Sequence, residues 1–469
     1  MESHWKLFLT LVVVAVSCYA EASIPKHMNN FIEVVEKFET ENPELDPVSV
    51  VKALRRVAGL ESPFIQRYLG VPTANFTLDS KLSSYIMTAM AHEVTDGGVE
   101  NGVVFTQDGT TVALSPLLLG IEAGLQSTTP EHVEGIYPLT LGNTLALSFL
   151  YHNSRSSETQ LLGTRGCWNH VASPEVYTLS DQPSLATDAM INGGIDGLIL
   201  GLEIASPNSR PQKLSELLRS YYTHRLDERG LDGAPRLISQ MRRTNFKDLL
   251  SVSLLKTQVK SSMARYGELH GEKAQENFDA LVNTGIEELI HTYATCPNII
   301  ARCTWGAKPF IGSPSYLSLP VSYVILHHTA SPSQPCTSFD ACAANMRSMQ
   351  SYHQNTNGWS DIGYNFVAGG DGNMYEGRGW KWVGAHAYGW NSKSLGVSII
   401  GDYTSRLPSS STINMVRYQF SDCAKSGGRA SYSYILYGHR QVDSTSCPGN
   451  SLFNEMKKWE HFRVREKVM

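Results

Sequence analysis

Tyr437-Gly-His439-Arg-Gln-Val-Asp-Ser-Thr445-Ser-Cys447-Pro-Gly449 continues an apolar run, Tyr434-Ile-Leu-Tyr437, and far upstream Val324-Ile-Leu-His327-His328-Thr329 likewise ends an apolar run on histidine. Short runs of this composition predict buried strands, and strand ends are rigid places from which to aim a ligand. Neutral imidazole and thiolate are donors that Zn²⁺ prefers, and a catalytic zinc takes three protein ligands so that one position stays open. His327, His439 and Cys447 supply that count. On these residues alone, a core histidine and a disulfide half fit as well.

Around the two runs the pattern alternates. Strands are expected near 321–327, 364–368, 373–376, 395–400 and 433–438, with helices near 338–354, 410–427 and 450–460. Such alternation predicts an α/β fold, a mixed central sheet flanked by helices.

The 469 residues are too many for one ordinary core, so at least two domains are expected. A formal net charge of −5 over that length and the lack of any Lys/Arg-rich run give no case for nucleic acid or an anionic membrane. At the N-terminus, Lys6 precedes the apolar run Leu7–Val16, with small residues at Ala20 and Ala22. The run falls well short of the ~20 residues that span a bilayer, so 1–22 reads as a secretory signal peptide. With no later segment of membrane-spanning length, the expected mature protein is secreted and extracellular, and Asn75-Phe-Thr77 is a usable glycosylation acceptor.

Residues 23–294 read as a helix-rich α+β N-terminal domain of unknown role. Helical periodicity or capping marks Met28–Glu41, Pro47–Ala58 with Asp46 as N-cap, Ser80–Glu93, Ser115–Leu125, Pro211–His224 and Leu255–Tyr293. Val103–Leu114 reads as a hairpin around Asp108-Gly109, and Leu200–Ala205 as a strand.

From 295 to 469 the chain carries a set of segments in a fixed order. They are Cys296-Pro-Asn-Ile-Ile-Ala-Arg302-Cys-Thr-Trp305, His327-His328-Thr329-Ala330, Trp359-Ser-Asp-Ile-Gly-Tyr364-Asn-Phe366, Asp371-Gly-Asn-Met-Tyr375-Glu-Gly-Arg378-Gly-Trp380, Gly384-Ala-His386 and Gly438-His439-Arg440. In these the chain resembles the peptidoglycan recognition proteins, the animal branch of the zinc-dependent N-acetylmuramoyl-L-alanine amidases related to phage lysozyme-type amidases. Within that family it is most similar to the long secreted amidases of innate immunity. The resemblance implies a zinc held by His327, His439 and Cys447, with Tyr364 as the catalytic tyrosine and Thr445 in support. It implies hydrolysis of the amide between N-acetylmuramic acid and L-alanine of bacterial peptidoglycan, in which the developing oxyanion needs a donor and the departing amine a proton.

The same resemblance implies a stem-peptide groove on His328, Thr329, His353, Tyr364, His386 and Asn391. The pair Gly358-Trp359 together with Arg378 implies a preference for diaminopimelate-type muropeptides, whose extra carboxylate suits a guanidinium. The alternative is a recognition protein that binds peptidoglycan without cutting it. Relatives of that kind typically lack the cysteine or the first histidine, and both are present here.

Of the eight cysteines, Cys18 leaves with the signal peptide, so seven remain and one stays unpaired. The resemblance implies the pairs Cys336–Cys342 and Cys296–Cys423. With Cys447 as a metal ligand, elimination leaves Cys167 with Cys303.

Overall fold

The computed structural model describes residues 28–57, 103–126, 188–206, 213–223, 237–249, 293–302 and 304–465, with isolated positions between them. In the N-terminal region the expected punctuation holds. Helix α1 (Met28–Glu41) is followed by α2 (Pro47–Val57), whose start is capped by Asp46 Oδ1 accepting from Ser49 N at 2.7 Å, with Pro47 in the first helical position. Strands β1 (Val103–Phe105) and β2 (Thr111–Ala113) pair antiparallel around Asp108-Gly109, where Gly109 takes φ +79°.

Among the described residues of this region follow helices α3 (Leu114–Gln126), α4 (Asp188–Ala205), α5 (Leu214–Tyr222) and α6 (Ile238–Leu249). Its core gathers Phe31, Val35, Phe38, Val51, Leu54, Leu118, Ile121 and Leu218 from several of these elements. The strand expected at Leu200–Ala205 is instead the last part of α4. The apolar run there resembles a strand locally, but Gly193, Gly197 and Gly201 recur at helical spacing and form one stripe. A Cβ on Gly197 would meet Gly120 Cα at 2.8 Å, and one on Gly201 would meet Gly124 Cα at 2.8 Å. That close backbone approach to α3 is available only to a helix with no side chains on the contact face.

The C-terminal region holds β3 (Ile299–Ile300), β4 (Val321–His328), α7 (Phe339–Asn355), β5 (Phe366–Ala368), β6 (Met374–Glu376) and β7 (Ser394–Ile399). After these come α8 (Ser410–Asn414), a π-helical stretch (Met415–Phe420), α9 (Ser421–Ser426), β8 (Ala430–Gly438) and α10 (Asn450–Met456). The six strands form one sheet in the order β3-β6-β5-β7-β4-β8, mixed because β5 and β6 are antiparallel while β7, β4 and β8 run parallel. The helix expected near 410–427 is therefore present but changes hydrogen-bonding pattern in its middle. Leu326, Val397, Phe366, Phe420, Leu436 and Leu452 fill one face of the sheet; Val367, Ile400, Met346, Met349 and Trp305 fill the other, under α7.

Disulfides join Cys296 to Cys423 and Cys336 to Cys342. The two regions touch: Asn373 Nδ2 donates to the carbonyl of Asp108 at the hairpin tip (3.3 Å), and Arg243 Nη1 to that of Cys296 (2.8 Å). Among the described residues no helix is long and apolar enough to cross a membrane. The expected signal peptide (1–22), the acceptor Asn75, Cys167 and Cys303, nearly all of Ser80–Glu93 and most of Leu255–Tyr293 lie outside the described residues.

Candidate metal centre

Strand β4 is flanked by parallel neighbours, so its C-terminal end lies beside the C-terminal end of β8. In register, Leu326 faces Gly438, which brings His327 and His439, each the next residue, to the same rim. Sites in open α/β sheets form at such carboxyl ends. Successive strand residues point to opposite faces. Val324 and Leu326 enter the core under α10, so His327 turns to the other face and His328 to theirs. Only the first histidine of the pair is thereby aimed at His439.

Cys447 arrives on the loop after His439. Arg440 N donates to the Cys447 carbonyl (2.8 Å) and Arg440 Nη1 to Asn450 Oδ1 (2.8 Å), while the Thr445 hydroxyl accepts from Cys447 N (3.2 Å). His328 N donates to the Cys447 sulfur at 3.4 Å. The ligand atoms of His327, His439 and Cys447 lie within 4.8 Å of one another. His327 Nδ1 is 3.8 Å from Cys447 Sγ, close to the ~3.6 Å that tetrahedral zinc with ordinary Zn–N and Zn–S lengths requires. His439 Nε2 is buried and makes no hydrogen bond, the Asp443 carboxylate standing 3.5 Å away.

The electrostatics suit a cation. Burial holds His327 well below the ordinary histidine range, reinforced by His386, His439 and His328. Burial lowers His439 too, opposed by Asp443. Both imidazoles are therefore neutral, the state in which they ligate. By burial alone the Cys447 thiol is pushed up to about 12; a metal ion in contact reverses this, because a coordinating thiol is deprotonated outright. Cys447 is the one unpaired cysteine among the described residues. A set of two neutral nitrogens and one sulfur, buried but for a half-buried His439, fits zinc.

The other expected site residues are placed as follows. The Tyr364 ring lies 5.3 Å from that of His327; burial first, then Cys447, raises its phenol well above the usual range. His386 Nδ1 is 3.1 Å from His327 Nε2. The His353 ring lies tilted against Trp359 (4.8 Å) and edge-on to Tyr364 (5.8 Å), its Nδ1 accepting from Gly363 N at 3.0 Å. Burial, then Arg378, lowers His353 to about 4. Trp359 is 37 % exposed and Gly358 has φ +68° with open space where a Cβ would stand.

Five residues stand back from the cluster. His328 Nδ1 accepts from Tyr403 N (3.1 Å), Thr329 Oγ1 donates to the Pro332 carbonyl (2.8 Å), and Asn391 Oδ1 accepts from His386 N (2.8 Å) and Ala387 N (2.9 Å). Thr445 is exposed and holds the cysteine loop. Arg378, 8 % exposed, donates to the carbonyls of Ile362 (2.8 Å), Val383 (2.8 Å) and Asp361 (3.4 Å). Sequence reasoning quoted Arg440 only within Gly438-His439-Arg440, without a role, and passed over Asp443. The first was legible as the residue following the ligand histidine, the second as an acid one helical turn beyond it.

The N-acetylmuramoyl-L-alanine amidase sequence family matches residues 317–450. The chain is 35 % identical to the N-acetylmuramoyl-L-alanine amidase of Mus musculus over 94 % of its own length and 95 % of that protein's. To the Homo sapiens protein of the same name it is 34 % identical, over 98 % and 95 % of the two lengths. Peptidoglycan-recognition protein SC2 of Drosophila melanogaster is 45 % identical over 35 % of this chain and 88 % of that one.

Proposed function

Because this chain belongs to the N-acetylmuramoyl-L-alanine amidase family, we propose that it is a zinc-dependent hydrolase cutting the amide between the lactyl group of N-acetylmuramic acid and L-alanine in bacterial peptidoglycan. The observation that carries the zinc requirement is the convergence of His327, His439 and Cys447 at adjacent strand ends. These residues hold the metal. When bound, zinc activates water near neutral pH and polarises an amide carbonyl.

The chain's own groups supply the rest. Tyr364 keeps its proton throughout the working pH range and so donates its hydroxyl to the developing oxyanion. Thr445 and Arg440 keep the Cys447 loop in place through the bonds described. His353, Gly358, Trp359 and His386 form the wall against which the stem peptide lies, with His328, Thr329 and Asn391 shaping its backbone. Arg378 serves the third stem residue, directly through its remaining N–H groups and by fixing the carbonyls around Trp359, which favours diaminopimelate-type muropeptides. The protein acts outside the cell after removal of residues 1–22, with Asn75 glycosylated, Cys167 bonded to Cys303, and residues 23–294 as a separate folding unit.

Release of free stem peptide from purified peptidoglycan by zinc-quantified protein tests this reading. Binding of muropeptide without release would return the chain to the non-catalytic recognition class.

A further inference from the structure

We propose that His386 is a positioning residue for the metal centre: its imidazole accepts a hydrogen bond from His327 and so fixes which nitrogen of His327 faces the metal. The inference rests on the metal reading above and adds a role to a residue otherwise assigned to the peptide wall.

The geometry runs in one direction. His327 presents Nδ1 to Cys447 Sγ at 3.8 Å and Nε2 to His386 Nδ1 at 3.1 Å. A neutral imidazole carries a single proton, and a ligating nitrogen carries none. With Nδ1 as ligand, the His327 proton sits on Nε2 and is donated to His386 Nδ1. His386 must then carry its own proton on Nε2, which lies 3.5 Å from Ser394 Oγ. The Ser394 hydroxyl donates to the Trp390 carbonyl at 2.8 Å, leaving its oxygen lone pairs toward the ring. Every donor in the sequence His327, His386, Ser394, Trp390 carbonyl meets an acceptor, and the reverse order would put a proton on the nitrogen that faces Cys447.

The fold also holds this ring tightly. A Cβ on Gly384 would stand 2.4 Å from His386 Cδ2, and one on Gly396 would stand 2.3 Å from it, so two glycines are needed to seat the imidazole. Asn391 Oδ1 accepts from His386 N, fixing the backbone that carries it. The side chain is 7 % exposed. A group whose sole task was to touch an incoming peptide would present its polar edge outward; this one presents it to a metal ligand. Removing such outer partners typically weakens metal binding about 10- to 100-fold.

The test is zinc affinity, by competition with a chromogenic chelator, on the full chain and two variants. His386→Phe keeps the ring volume without an acceptor; His386→Asn keeps an acceptor near the Nδ1 position. We expect His386→Phe to bind zinc about 10- to 100-fold more weakly and His386→Asn to stay within about threefold of the parent. Unchanged zinc affinity in His386→Phe, with the loss confined to KM, would make His386 a peptide contact and overturn the proposal. A parent chain that binds no zinc would instead overturn the metal reading, and this inference with it. Should His386→Phe fail to fold, long-range ¹H–¹⁵N histidine spectra of the zinc-loaded parent decide the matter without a substitution. His327 and His386 both protonated at Nε2 is the expected result, and His386 protonated at Nδ1 contradicts it.

Discussion

The Arg242–Asp196 pair of the N-terminal region is buried, and so is the His327–His439–Cys447 cluster of the C-terminal sheet except for a half-buried His439, but their polar atoms are satisfied in opposite ways. Arg242 Nε and Nη2 bond Asp196 Oδ1 and Oδ2 at 2.7 Å each, Arg242 Nη1 bonds Thr110 Oγ1, and the hydroxyls of Tyr221 and Tyr222 complete the carboxylate at 2.7 Å each. Opposite charges cancel and each oxygen has its donors. In the second cluster two neutral imidazoles and a thiol turn their donor atoms toward one another with no cation among the side chains that form it. A network complete within the chain is a device of folding; lone pairs converging from three segments are a device of binding. The contrast can be tested from both sides.

The largest effect is expected from Cys447→Ser. A serine hydroxyl stays protonated near neutral pH and cannot replace the anionic, softer donor. Hydrolysis should fall at least about a thousandfold, roughly 4 kcal/mol of transition-state stabilisation, while stem-peptide binding stays within about tenfold. Retained hydrolysis in a zinc-verified sample would remove Cys447 from the ligand set. Next comes Arg242→Met, which leaves Asp196 buried without its counter-charge and should destabilise the fold by about 3–5 kcal/mol with activity per folded molecule unchanged. Denaturant midpoints and kinetics on the same samples check it, and a loss of activity beyond the unfolded fraction would mean that the two regions are coupled.

A smaller effect belongs to Arg378→Ala, read as the ratio of kcat/KM on diaminopimelate-type and lysine-type substrates. That ratio should fall by about fivefold, near 1 kcal/mol for one lost hydrogen bond. An unchanged ratio would leave Arg378 only its structural task of holding the Ile362, Val383 and Asp361 carbonyls. The smallest is a slope. His353 is neutral in the folded protein down to about 4, whereas the unfolded chain protonates it near 6.5. Between those values the unfolded state binds more protons, so stability rises with pH and is lost as pH falls from about 6.5 to about 4. His353→Gln should flatten the dependence of the urea midpoint on pH across that window; an unaltered slope would place the acid sensitivity elsewhere.

Much of the C-terminal region was legible because its strands are apolar runs with clear ends. Tyr323–Leu326 and Tyr434–Tyr437 gave β4 and β8, and the parallel register then set His327 beside His439. What could not be read were contacts between distant residues whose partner is backbone or ring. Arg378 looks in sequence like a free guanidinium but is enclosed by carbonyls, and His386 meets His327 across 59 residues. In the N-terminal region, local apolarity at Leu200–Ala205 favoured a strand, whereas the glycine stripe shared with α3 made it a helix. That preference is tertiary, since it exists only when Gly120 and Gly124 stand opposite.

The central claim is that the cluster at the ends of β4 and β8 is a zinc site required for hydrolysis but not for the fold, which has two disulfides and a core on each face of its sheet. The most direct test follows zinc content, release of free stem peptide and far-UV circular dichroism together, through chelation and zinc re-addition. The account predicts stoichiometric zinc in the active protein, hydrolysis lost on chelation and regained with zinc, and an unchanged spectrum throughout. Hydrolysis that survives complete removal of zinc would contradict it.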